Sequence, residues 1–212
     1  LESGSVKLLT GGKLVNTETI ACRDILIAGE QVLKLGNPRI EPPANCRIID
    51  CSGKLIFPGI IDAHVHLKNA VAESRLALRG AVTTIVDSGN PRPGMSCSDS
   101  IRQRKAELAG CHVDFSLACT LSGVEDGVLE QLPVLADEGI TCFKVSTTET
   151  AGCAMLPYPE IEQLARGLAK VGAVLRAHAE DDLVIKQATE HLIARKRTAP
   201  AYFGLSRPAI AE

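Results

Sequence analysis

From Leu55 onward, apolar segments of strand length alternate with segments of helical period, and few folds accommodate that order. The spacing predicts five strands, over Ile60 to Leu67, Val82 to Asp87, Val113 to Cys119, Ile140 to Val145 and Ala173 to His178. Helices are predicted between them, over Ala72 to Arg79, Asp99 to Ala109, Glu125 to Asp137 and Tyr158 to Val171, with Gly172 as a C-terminal cap. A further helix is predicted over Asp181 to Arg195. Strands this apolar, separated by helices, imply a parallel sheet buried on both faces. Two α/β architectures satisfy the pattern, a doubly wound sheet and a (β/α)8 barrel, and periodicity alone does not separate them. A complete barrel takes about 250 residues, more than remain after Leu55, so a barrel would have only its strands 1 to 5 here.

The segment before Leu55 has a different rhythm. Short β-type runs, Val6 to Leu9, Asp24 to Ala28 and Gln31 to Leu35, are interrupted by Gly11-Gly12 and Gly29-Glu30, which predicts a small antiparallel sheet. Pro42-Pro43 and Ser52-Gly53 punctuate its end, placing a domain boundary between residues 55 and 56.

Composition narrows the partners. The 23 Lys and Arg residues against 25 Asp and Glu give a net charge of -2, too weak a field to hold nucleic acid or an anionic membrane. Aromatic residues make up 3% of the chain and Trp is absent, which removes the usual stacking platforms for single-stranded nucleic acid. A small-molecule partner fits better. The 8 cysteines contain no C-x-x-C pair and several lie in apolar runs, as in Ser116-Leu117-Ala118-Cys119, which reads as reduced core thiols. No apolar run reaches the ~20 residues needed to cross a bilayer, and the expected location is the cytoplasm.

Three strand ends carry chemistry. In Pro58-Gly59-Ile60-Ile61-Asp62-Ala63-His64-Val65-His66, alternation along a strand projects Asp62, His64 and His66 the same way, so two imidazoles can approach one ion. Without a partner group, the pair would be two packed or surface histidines. Gly139-Ile140-Thr141-Cys142-Phe143-Lys144 places a lysine in an apolar strand; such a residue is either a solvated charge or a desolvated amine able to form a carbamate with carbon dioxide. Arg176-Ala177-His178-Ala179-Glu180-Asp181 presents a third group, His178, where the fifth strand ends. Ends of parallel strands converge on one face, so the three signals form one constellation.

The order Pro-Gly-x-Ile-Asp-x-His-x-His, Phe-Lys, His-Ala-Glu-Asp resembles the cyclic amidohydrolases of the amidohydrolase superfamily: hydantoinases, dihydropyrimidinases, allantoinases and dihydroorotases. The resemblance runs from about residue 5 to residue 212 and implies a (β/α)8 barrel accompanied by a β-sandwich, with residues 1–55 part of the sandwich and 56–212 the first part of the barrel. It implies a binuclear zinc centre, two ions per complete subunit, with His64 and His66 on the first metal, Lys144 as a carboxylated, CO2-derived bridge and His178 on the second. It further implies hydrolysis of a ring amide or ureide C–N bond, hydantoinase- or allantoinase-like, and a dimer or tetramer when complete. Asn90, in Asp87-Ser88-Gly89-Asn90-Pro91, becomes a substrate-contact candidate, or else a turn residue before proline. Asp62 becomes a candidate to orient a ligand imidazole.

Departures from the family pattern set limits on this reading. A sixth-strand histidine and an eighth-strand aspartate, the general base, are expected beyond Glu212, so the 212 residues alone are expected to be inactive. Lys68 stands where dihydroorotases carry a substrate-binding arginine, and the span from His66 to Gly80 is shorter than in hydantoinases or allantoinases. The competing expectation is a non-catalytic, dihydropyrimidinase-like assembly protein. Its relatives lack the ligand set that this chain retains.

Overall fold

The structure, a computed structural model, describes residues 6–36, 39–92, 94–125, 127–150 and 153–212. The chain divides into two compact units, Leu1–Gly59 and Ile60–Glu212. The first five residues of the segment expected to form the N-terminal domain lie outside the described residues.

Among its described residues the first unit holds seven strands, β1 (Val6–Thr10), β2 (Lys13–Val15), β3 (Ile20–Cys22), β4 (Asp24–Ala28), β5 (Gln31–Gly36), β6 (Arg47–Asp50) and β7 (Leu55–Ile56). They form two sheets, ordered β5-β4-β1-β6 and β3-β2-β7. The expected single antiparallel sheet is therefore corrected: β1–β4, β4–β5 and β2–β3 are antiparallel, but β1–β6 and β2–β7 are parallel. The cause lies in how the chain returns. Residues 47 to 56 run beside β1 and then beside β2, joined by Cys51 N–H to Thr10 O (2.8 Å) and Lys13 N–H to Lys54 O (3.0 Å). The step from β1 to β2 is made at Gly11, whose φ of 75° suits glycine, and at Gly12, where a Cβ would lie 2.6 Å from the Ile56 side chain.

Asp24 links the start of β4 to its neighbours. Its carboxylate is 3% exposed and accepts from the Thr10 hydroxyl (2.8 Å) and the Ile40 N–H (2.9 Å). Burial alone would raise its pKa, but the donors Ile40, Thr10 and Gly11 and the charge of Arg39 outweigh that and hold it below the ordinary carboxylate value. A carboxyl depressed by folding stabilises the fold above its unfolded pKa of about 3.9, and the contribution disappears as pH falls through the folded value. Asp24→Asn is therefore expected to lower the urea midpoint of this unit at pH 7. The gap to the unsubstituted protein should close towards pH 3; an equal gap at both values would refute the linkage.

The second unit alternates without interruption. It runs β8 (Ile60–Asp62), α1 (Ala70–Arg79), β9 (Val82–Gly89), α2 (Cys97–Glu107), β10 (Asp114–Thr120), α3 (Val128–Asp137), β11 (Cys142–Ser146), α4 (Tyr158–Lys170), β12 (Val174–His178) and α5 (Asp182–Ala194), with short 3-10 segments Pro200–Ser206 and Ala209–Ala211. The sheet order is β12-β11-β10-β9-β8, and all pairs are parallel. Sequential order leaves no point where the winding reverses, as a doubly wound sheet requires, so the five strands are a partial (β/α)8-type barrel.

Local sequence accounts for the helix boundaries. Asn69, Ser96 and Asp181 cap α1, α2 and α5 by accepting from backbone N–H groups of their first turns. Gly172, at φ 66°, closes α4 as anticipated. The third helix begins at Val128 rather than Glu125, after Gly127 in left-handed conformation; residue 126 of the expected helix lies outside the described residues. The first barrel strand is shorter than expected: it ends at Asp62, not Leu67.

The core lies between sheet and helices. Leu117 and Cys119 of β10 and Phe143 and Val145 of β11 meet Leu132 and Leu135 of α3 and Leu164 and Leu168 of α4. Alternation then sends Lys144 to the other face of the sheet. All eight cysteines are free thiols. Among the described residues, no helix is long and apolar enough to cross a membrane.

Candidate metal centre

Beyond Asp62 the chain leaves regular strand structure but still follows β9, through Val65 N–H to Val86 O (3.1 Å). In this stretch the His64 and His66 rings meet edge to face, with centroids 5.0 Å apart and an angle of 74° between planes. Their Nε2 atoms are 3.1 Å apart. Both imidazoles titrate below the ordinary histidine value. The largest cause for each is partial withdrawal from water; Arg176 and Lys144 add positive charge, against which Asp62 acts at His64 and Asp87 at His66. A lowered value favours the neutral ring, whose lone pair a metal can take.

Lys144 reaches the same place from β11. It is 8% exposed, and its Nζ stands 3.5 Å from His64 Nε2. Among the described residues, no carboxylate lies within ion-pair distance of it. Arg176, its neighbour in register on β12, donates to Ala63 O (2.7 Å) and Ser88 Oγ (3.3 Å), adding a second cation beside the imidazoles. Two neutral imidazoles next to a buried, unpaired amine fit a metal centre. Converted to a carbamate, the amine would become the anionic oxygen ligand that this cluster of positive groups lacks.

His178 is held differently. Its Nε2 pairs with the carboxylate of Glu180, which is 8% exposed and also receives Arg207 Nη1. Thr147 fastens the turn beneath: its N–H donates to His178 O (3.0 Å), its hydroxyl donates to Glu180 O (2.8 Å), and its Oγ1 accepts from Glu180 N–H (2.9 Å). Only Nδ1 of the ring is left for another partner. The structure thus brings His64, His66 and Lys144 together, and among the described residues the ring of His178 pairs with Glu180. Among the described residues, no three His, Cys, Asp or Glu side chains stand close enough to hold an ion by themselves.

The remaining two candidates are placed as follows. Asp62 accepts from the backbone N–H of His64 (3.2 Å) and so braces main chain rather than an imidazole. Asn90 follows β9, is exposed, and accepts the Thr120 hydroxyl at 2.5 Å through Oδ1. It lines a groove of 1380 Å³ whose wall also includes His66, Lys68, Asp87 and Arg104. Sequence reasoning overlooked Arg176, Glu180, Arg207, Asp87 and Arg104. Only Glu180 had a local signal, its position two residues after His178, where a carboxylate can fix a ring nitrogen.

No protein-family model matches the chain. It is 31% identical over 213 residues to the D-phenylhydantoinase of Escherichia coli O1:K1, a match covering 95% of this chain and 45% of that enzyme. Among solved structures, a D-hydantoinase superposes with a TM-score of 0.89 at 25% identity, covering 97% of this chain and 47% of that one. The dihydropyrimidinase of Brevibacillus agri NCHU1002 gives the same TM-score, 0.89, at 26% identity and the same coverage, 97% and 47%. The chain spans about half the length of the curated relatives it matches.

Proposed function

We propose, for a chain that belongs to the amidohydrolase superfamily and within it to the cyclic amidohydrolases, that the complete protein hydrolyses a C–N bond of a cyclic amide or ureide, hydantoinase- or allantoinase-like. The observation that carries this reading is the meeting of His64 Nε2, His66 Nε2 and Lys144 Nζ within 3.5 Å steps. His64 and His66 would hold one zinc, Lys144 as a carbamate would bridge to a second, and His178 would serve that second ion through the Nδ1 that Glu180 leaves free. Zinc ions, when bound, supply a nucleophile derived from water at neutral pH and Lewis-acid polarisation of a carbonyl.

The chain's own residues have separable tasks. Lys144, buried on the inward face of β11, sets the charge of the centre, and its state decides whether the centre is cationic or balanced. Glu180 holds one nitrogen of His178 and so fixes its tautomer, while Arg207 pairs with the same carboxylate and holds it in place. Asn90 commits its amide oxygen to Thr120, which leaves the amide N–H groups to donate to a ring carbonyl in the groove. The two sheets of the first unit are read as part of a β-sandwich, and the protein as a cytoplasmic homo-oligomer.

Turnover of hydantoin and allantoin together with zinc content tests the proposal. The complete protein is expected to bind about two zinc ions per chain and to open one of these rings. The 212 residues alone, which span about half of the relatives, are expected to show little or no turnover. Folded complete protein without metal or ring-opening activity would favour a non-catalytic assembly role and overturn the proposal.

A further inference from the structure

The metal-binding segment is anchored unevenly. Strand β8 stops at Asp62, and from there to Leu67 the main chain has one sheet-type bond, at Val65. Immediately after His66, anchoring passes to a pair of side chains. Leu67 N–H donates to Asp87 Oδ2 (3.0 Å), and Leu67 C=O accepts from Arg104 Nη2 (2.5 Å). The same Nη2 pairs with the same Oδ2 at 2.7 Å, so both polar groups of one peptide residue close on a single ion pair.

Both partners are themselves fixed. Asp87 is 1% exposed, and its other oxygen accepts from Ser88 N–H (2.6 Å). In register it faces Leu117, a core residue, so it points to the helix side of the sheet, where α2 brings Arg104. Arg104 Nη1 pairs with Glu107 (2.7 Å), and burial, which would lower its pKa, is outweighed by the two carboxylates. A buried ion pair is a poor device for stability, since packed apolar residues usually do as well or better; its strength is in fixing one geometry.

We propose that Asp87 and Arg104 are positioning residues that hold Leu67, and through it set the His64–His66 pair at the spacing a metal ion requires. The pair acts from outside the barrel. It hydrogen-bonds to neither imidazole and positions them through one residue of main chain; Arg104→Lys, which keeps both charges, separates this from the charge of Asp87 felt at His66. A guanidinium can donate to Leu67 O, Asp87 and Glu107 together, whereas a lysine ammonium is a point donor without that fork. The inference rests on the reading of His64 and His66 as metal ligands, and its test separates the two.

Zinc affinity is measured on the complete protein by competition with a chromophoric chelator, in the unsubstituted form and in His66→Ala, Asp87→Asn, Arg104→Gln and Arg104→Lys. Backbone amide exchange is followed in the peptide covering residues 63–68. His66→Ala is expected to lose tight binding. The Asp87 and Arg104 variants are expected to bind zinc about 10- to 100-fold more weakly while folded, the range typical of lost outer partners. Exchange at Leu67 should be faster in Arg104→Lys, which keeps a cation against Asp87 and is the variant of reference should the others fail to fold. A purely structural role would lower the unfolding midpoint and leave zinc affinity unchanged. If His66→Ala binds zinc normally, the ligand reading fails. If His66→Ala loses zinc while Arg104→Lys keeps both normal affinity and normal exchange, the positioning role alone is overturned.

Discussion

Lys144→Ala in the complete protein is expected to lose zinc and turnover together while the fold survives. The argument starts from burial. Lys144 is 8% exposed and has an imidazole nitrogen, not a carboxylate, as its nearest polar partner. An unpaired ammonium in such a place costs stability, so in the metal-free protein its removal should leave the unfolding midpoint unchanged or raise it. Function should move the other way. On the proposed reading no carbamate can form without the amine, so the centre loses that anion while Arg176 still adds positive charge beside His64 and His66. Loss of one fixed electrostatic group at a reaction centre costs about 10²–10³ in rate; loss of the bridging ligand, which also releases metal, should cost at least on the order of 10³. Lys144→Arg provides the control for charge, since arginine stays cationic and forms no carbamate. It should fail as completely as alanine. Turnover within tenfold of the unsubstituted protein in either variant, with zinc retained, would remove Lys144 from the centre.

What could be read from sequence was what local pattern encodes. The five strands and their helices follow from apolar segments of two periods, and the pleat of β11 places Phe143 and Lys144 on opposite faces without any tertiary information. The H-x-H pair is legible for the same reason, although regular strand ends before it: from Ala63 to Leu67 the chain keeps beside β9 through one sheet-type bond, Val65 N–H to Val86 O. What was not legible depends on long-range return of the chain. The parallel pairing of β1 with β6 joins residues about forty positions apart, and no property of either strand announces its direction. The Asp87–Arg104 pair and the Glu180–Arg207 pair belong to the same class, since an arginine on a helix or in a C-terminal segment carries no mark of its partner. His178 shows the limit most clearly. Its motif places it at the end of β12, but the group that governs its ring is Glu180, backed by a residue from another segment.

Phe143→Ala is expected to do to stability what Lys144→Ala does to function. Phe143 is 0% exposed and packs with Leu132, Leu135, Leu164 and Leu168 in the core between sheet and helices. Truncating it removes the transfer free energy of the ring and leaves a cavity that surrounding leucines fill only in part, a loss of about 3–5 kcal/mol. For a single domain with total stability of about 5–15 kcal/mol, that is a large fraction. Urea or thermal unfolding of the complete protein measures it, with Tyr158→Ala as comparison. Tyr158, at the start of α4, is 75% exposed, so its loss should stay within about 0.5 kcal/mol. Because Phe143 lies on the face away from the centre, the fraction that remains folded should bind zinc with unchanged stoichiometry. A cost below about 1 kcal/mol would mean that β11 is not packed against α3 and α4. Loss of zinc from folded Phe143→Ala would show that the two faces of β11 are coupled and that Lys144 depends on the core for its position.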